Sequence, residues 1–396
     1  MAVTLWIAMA VVVVCAVSAC TPAPLPAPTP TPLPQSAWGP VYTVSYAPQL
    51  DAPAFAALSD RFAFAWVASD AAGVHQDVRH LTAVGMSDAA ALPLNPFAPH
   101  DLTLWPAAED TAQLLYLDED SATQTYRLYS AIFTEPHTLL RGPNRISDQV
   151  THRYTALQTE NGGLWVVWST GSALESRLYA QQIDAFGRPQ PNALMTTDAD
   201  HPVLVQSADD RMILFWMHPV THMIYAGRFE SGVLGEIYAL GEGMIPQPGE
   251  LQVKFNVMAA GDHFILIWNT LLPNHRPQTY LSVAQLNPGG MTLPVVAETG
   301  ASDGSRRALA WLTASPASPT LTAAAMIDDE LGLVTWDGQR FTDFQSVVRL
   351  DTPLIGLPAL YGDAEGQRYL LWSEPRTETA AELRFTSTRS LDSLSP

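Results

Sequence analysis

Short apolar runs that end in an aromatic residue recur along this chain at nearly constant spacing. The runs at 62–66, 114–116, 165–168, 213–216, 265–268 and 369–372 close on Trp66, Tyr116, Trp168, Trp216, Trp268 and Trp372. The first five closing residues step by 50, 52, 48 and 52, and the last gap of 104 holds two more steps. A further unit is therefore expected between Trp268 and Trp372. Leu321 to Ile327 fits it, with Met326 in the place of the aromatic. Seven units result.

Each run follows a polar turn signal such as Ser59-Asp60, Asn161-Gly162-Gly163 or Gly261-Asp262. Gly and Asn accept positive φ and Asp bonds its own backbone, so these are tight turns, and an apolar segment on either side makes a hairpin. A third segment follows each aromatic, as in Leu128-Tyr129-Ser130 or Tyr280-Leu281-Ser282, and a more variable fourth completes the unit. No segment keeps a 3.6-residue apolar period. Repeats of about 50 residues with four short strands apiece predict an all-β fold, a seven-bladed β-propeller, with six blades or two stacked sandwiches as alternatives if the weak unit is misread. The second strand of each unit is apolar on both faces, as burial between two neighbouring sheets requires. The closing Trp residues are accordingly expected as core between blades and not as a sugar platform. The last unit has only three segments, and Val41 to Tyr46 is expected to supply its fourth strand and close the ring.

The N-terminus predicts an address. Leu5 to Val17 is an uncharged apolar run followed by Val17-Ser18-Ala19-Cys20, the pattern of a secretory signal with small residues before the cleavage point. Ending in cysteine, it resembles the bacterial lipobox, although Met1 to Trp6 lacks Lys and Arg. The resemblance implies a signal peptide over 1–19, lipidation of Cys20, and an extracytoplasmic domain tied to the cell membrane through lipid alone. An uncleaved signal anchor is the alternative. Thr21 to Pro34 alternates proline with Thr, Ala and Leu, so 20–37 reads as an extended tether and 38–396 as the folded domain. The only cysteines are Cys15 and Cys20, which leaves the domain without disulfide, thiolate metal site or cysteine nucleophile. A net charge of -19, with Lys254 the sole lysine, argues against nucleic acid as a partner.

Chemistry is faint. There is no HExxH, nucleophile elbow, P-loop, EF-hand loop or dinucleotide fingerprint, and the repeated Asp box of propeller sialidases is missing. Asp118-Glu119-Asp120 and Asp328-Asp329-Glu330 read as solvated turns. One constellation stands apart. His100, His152 and His201 lie 16, 16 and 15 residues before Tyr116, Trp168 and Trp216, at or just before the first strand of three consecutive units. The corresponding places elsewhere fall at or near Asp51, Gln252, Arg306 and Gly356. First strands line the axis of a propeller, so the three histidines are candidates for binding or for a divalent metal at the channel mouth. The alternative is polar residues lining a wet channel. The resulting expectation is a non-catalytic module, without cofactor, that binds a protein, peptide or glycan or scaffolds an envelope complex. A cell-envelope hydrolase or lyase acting on polysaccharide, with a His-lined metal site, is the other reading.

Overall fold

The computed structural model describes residues 38–391 and 394, apart from 135–136, 172–174, 208, 287–289, 315–320 and 364. The proposed signal sequence (1–19) and lipidated cysteine with tether (20–37), Cys20 included, lie outside the described residues. The strands form seven antiparallel blades, each beginning with its inner strand. Blade 1 runs from Ala54–Ala57 through Phe62–Asp70 and Gly73–Thr82 to an outer strand split into Gly85–Met86 and Ala90–Ala91. Blade 2 comprises His100–Ala107, Thr111–Asp120, Thr125–Thr134 and Thr138–Arg145. Blades 3 and 4 start at Thr151–Gln158 and Asp200–Gln206, blade 5 at Leu251–Ala260, and blade 6 at Ala310–Ala314. Among the described residues the only helix is a three-residue 3-10 turn, Ala108–Asp110. The protein is a seven-bladed β-propeller.

Blade 7 closes the ring with both ends of the chain. Ala359–Gly362, Arg368–Pro375 and Ala381–Ser387 are completed by Tyr42–Ala47, which pairs Tyr42 with Phe385 and Ala47 with Ala381. Gly39 N–H donates to the Ser387 carbonyl at 2.8 Å, extending the seam. A seam of this kind removes the open edge that would otherwise template association.

Apolar burial follows the ring. Seven core clusters are present, one at each interface between consecutive blades, including blade 7 against blade 1. Trp168, Trp268 and Trp372 are fully buried in them, and Trp66, Tyr116 and Trp216 nearly so. Trp168 stacks on Tyr179 of its own blade at 6.0 Å. In blade 6 the expected anchor is wrong by one residue. Ala310 pairs with Met326 as His100 pairs with Leu117, so Ala325 holds the position of Tyr116 and Met326 faces the other interface. The bulk missing at Ala325 comes from Trp336 and Phe341 in the same cluster. Blade 6 is also preceded by a hairpin, Glu298–Gly300 with Arg306–Ala308, which takes Arg306 out of the inner strand where the spacing had put it.

Candidate functional site

The inner strands of blades 2 to 6 share a local irregularity. Near its start each carries one residue more than the strand beside it, between His100 and Thr103, Thr151 and Arg153, Asp200 and Val203, Gln252 and Lys254, and Ala310 and Thr313. Such bulges re-aim side chains and gather at rims and active sites. In three of them a non-glycine residue takes positive φ: Asp101 (49°), His201 (52°) and Trp311 (53°). L-residues reach that region only at some cost, so the rest of the fold holds these turns in place.

The bulges decide where the three histidines go. Thr103, Thr155 and Val203 are equivalent, because each pairs with the residue preceding the closing aromatic of the next strand. Across the bulges, His100 and Asp200 pair with the residue after the closing aromatic, as Arg153 does, whereas His152 and His201 fall within the bulges themselves. The three are not brought together. His152 is exposed, and its Nε2 rests on the Gly171 carbonyl. His201 lies beside Asp200, its Nδ1 3.4 Å from the carboxylate. Burial alone would raise the Asp200 carboxyl, but the imidazole of His201 and the hydroxyl of Ser169 hold it well below the usual carboxylate range. Among the described residues no three His, Asp or Glu side chains are grouped so as to hold a metal ion.

His100 is different. It stands on the wall of a pocket of about 500 Å³ at the seam of blades 1 and 2. Ser69, Val67 and Val74 of blade 1 form one side, Gln49 comes from the segment entering blade 1, and Phe97 and Tyr126 belong to blade 2 and the loop before it. The rings of His100 and Tyr126 meet edge to face at 4.4 Å. The His100 Nδ1 is 3.5 Å from the Ala98 carbonyl, and with the proton on that nitrogen Nε2 is the basic one. Phe97 keeps 56% of its surface exposed.

The loop carrying Phe97 and His100 is built. The Asp118 carboxylate accepts the backbone N–H of Ala98 at 2.8 Å and that of Phe97 at 3.1 Å. Burial pushes the Asp118 carboxyl up, against those N–H groups and the nearby His100, which favour its charge. The opposite lip is fixed as well. Gln49 Nε2 reaches the Pro99 carbonyl at 3.4 Å, and the Leu50 carbonyl accepts from the Ser373 hydroxyl. Gly356 packs so tightly on that carbonyl that a Cβ there would come within 2.0 Å of it. One residue further, Asp51 shares its electrostatic neighbourhood with Lys254, Asp101 and His100. Crowding by protein raises its carboxyl, opposed chiefly by Lys254, while the surface that Asp51 keeps open to solvent limits the effect.

Towards the axis, the Tyr154 hydroxyl of blade 3 lies within donating reach of the carbonyls of Asp101 and, at 3.1 Å, of Leu115, and 3.0 Å from the hydroxyl of Thr103. Surrounding protein raises the Tyr154 phenol and pushes that of Tyr361, from blade 7, up to about 12. Spacing alone had marked His100, with Asp51 at or near the corresponding place in blade 1. It missed Gln49, Phe97, Tyr126 and the role of Asp118, for which the only signal was an acidic turn.

No family model matches the sequence, and no curated protein is significantly similar to it. Among solved structures, a polysaccharide lyase, Uly1, shares the fold over 85% of this chain and 89% of its own, with a TM-score of 0.54 and 10% identity. The β-propeller domain of the Trilobed protease from Pyrococcus furiosus covers 89% of this chain and 98% of its own, at TM-score 0.46 and 9% identity. A thermostable family-43 glycoside hydrolase covers 62% and 92%, at TM-score 0.37 and 10% identity. At these identities the likeness is one of fold. The expectation of a non-catalytic binding or scaffolding module is corrected to this extent: one of the solved propellers that span most of this chain is a polysaccharide lyase. The enzymatic alternative fits that finding better.

Proposed function

We propose that this chain is an enzyme that cleaves polysaccharide, working in the pocket between blades 1 and 2 with His100 as the group that moves the proton. The observation that carries the reading is a histidine set at a bulge, against an aromatic ring, on the wall of a pocket whose loop is held by a half-buried carboxylate. Breaking a glycosidic bond requires a proton to be taken up or delivered beside the sugar, and an imidazole does this near neutral pH. Phe97 and Tyr126 offer the apolar surfaces that sugar rings cover, and Gln49 and Ser69 offer hydrogen bonds to hydroxyls. The likeness in fold to a polysaccharide lyase supports the same reading.

The proposal includes the address. Lipidation of Cys20 and the proline-rich tether would hold the enzyme outside the cytoplasm at a membrane surface, where polymers too large to import are degraded. A His-bound divalent metal has no place in the chemistry proposed, because the three candidate histidines stand in separate surroundings. The test is incubation of the purified protein with a panel of polysaccharides, with new chain ends as the readout. His100→Ala should lower the rate by about 10²–10⁴-fold while leaving the melting temperature unchanged. Full activity in that variant would overturn the assignment of the site.

A further inference from the structure

We infer that the pocket takes an uncharged glycan and that the bond in it is broken by hydrolysis. This rests on the polysaccharide-cleaving reading above and narrows its substrate. A lyase removes the proton at C5 of a uronate, which is acidic enough to leave only because of the adjacent carboxylate. That carboxylate must itself be neutralised, so an elimination site needs a cation or several strong donors aimed at it. None of the residues lining the pocket is Lys or Arg. The carboxylate closest to the site, Asp118, is occupied in holding the loop through the Phe97 and Ala98 N–H groups. A uronate would enter a pocket with no cation in its lining, on a protein of net charge -19.

A neutral sugar meets no such penalty. Its C–H face can lie on the exposed ring of Phe97 or on Tyr126, and its hydroxyls can bond to Gln49, Ser69 and His100. Hydrolysis needs a proton acceptor for the attacking water and no cation for a carboxylate, and His100 supplies the acceptor. In the step inferred here the bond between the anomeric carbon and the bridging oxygen breaks. The leaving oxygen takes up a proton from solvent, water forms the new bond to the anomeric carbon, and the proton released from that water passes to His100. One water is consumed and no electrons are exchanged.

Two matched sets of polymers test this: neutral ones (a β-glucan, a xylan, a galactan) and uronates (polygalacturonate, alginate). Reducing ends report any cleavage, and the ultraviolet absorbance of an unsaturated uronate reports elimination alone. The expected result is reducing ends from at least one neutral polymer without that absorbance. Phe97→Ala should then raise KM about tenfold with kcat little changed, and Phe97→Tyr should restore it. Unsaturated product from a uronate would overturn the inference and leave the polysaccharide-cleaving reading standing. No cleavage of either set would overturn that reading and the hydrolytic step together. A KM unaffected by Phe97→Ala would remove the aromatic platform on which the neutral sugar is placed.

Discussion

Removing the strand Tyr42–Ala47 should open the ring, and the structure allows the loss to be sized. Val44 is completely buried in the cluster joining blades 7 and 1, worth about 1.5–3 kcal/mol. The Tyr42 ring lies 6.4 Å from that of Phe385, a pair worth about 0.5–1.5 kcal/mol beyond its area. Arg79 donates to the Val44 carbonyl at 2.6 Å, a charged hydrogen bond of about 1.5–3 kcal/mol. Several kcal/mol therefore depend on six residues, a large part of the roughly 5–15 kcal/mol that holds a typical fold. For a domain of this length a loss of that size lowers the melting point by about 5–10 °C. Two truncations should be compared by calorimetry and light scattering, one removing 1–34 and one removing 1–47. The shorter is expected to melt like the parent, and the longer to melt earlier and associate through the bared edge of Ala381–Ser387. Val44→Asp should reproduce the longer deletion. Val44 is the extra residue between the pairs Thr43–Arg384 and Ser45–Leu383, so its side chain is the part to attack. Equal melting and a monomeric longer truncation would refute closure through the termini.

Trp168→Ala should cost about 3–5 kcal/mol in a denaturant melt, because the indole is wholly enclosed between blades 2 and 3, and a near-neutral result would contradict that placement. Asp200 has its carboxyl lowered in the fold, so the stability it contributes is present above the unfolded carboxylate value of about 3.9 and is lost as pH falls through the folded value. Asp200→Asn should accordingly cost about 1.5–3 kcal/mol at pH 7, with the difference from the parent shrinking in melts at pH 3; a gap independent of pH would show that charge is not what Asp200 contributes. Labelled palmitate should enter the parent protein in cells but not Cys20→Ala, which should accumulate as a longer precursor, and equal labelling would dismiss the anchor.

The ring was legible because a propeller repeats its signals. Six closing aromatics, each a few residues beyond a turn, mark second strands that must be apolar on both faces, and the shortfall at the C-terminus pointed to Val41–Tyr46. What failed was placement to a single residue. Ala325 carries no signal of its own, so Met326 beside it looked like the anchor, and the volume it lacked is made up by Trp336 and Phe341 from the other end of the blade. The register of His201 slipped for a related reason. A bulge adds a residue without changing composition, and the positive φ of His201 is supplied by the fold and not announced by a glycine.

The pocket was hardest to see because its walls are far apart in the chain. Gln49, Val74, Phe97 and Tyr126 lie in four turns or strand ends, and only the packing of blade 1 on blade 2 sets them around His100. Sequence spacing treats His100, His152 and His201 alike, since each precedes an inner strand by the same rule. Their partners make them different. The imidazole of His152 is spent on a backbone carbonyl in open solvent, and that of His201 is held by the carboxylate it helps to keep ionised. His100 alone of the three is set against an aromatic edge in a pocket with a braced loop, because Asp118 ties down Phe97 and Ala98 just before it. A repeat can place the same residue type in several blades, but the loop preceding each one determines whether it stands in a pocket.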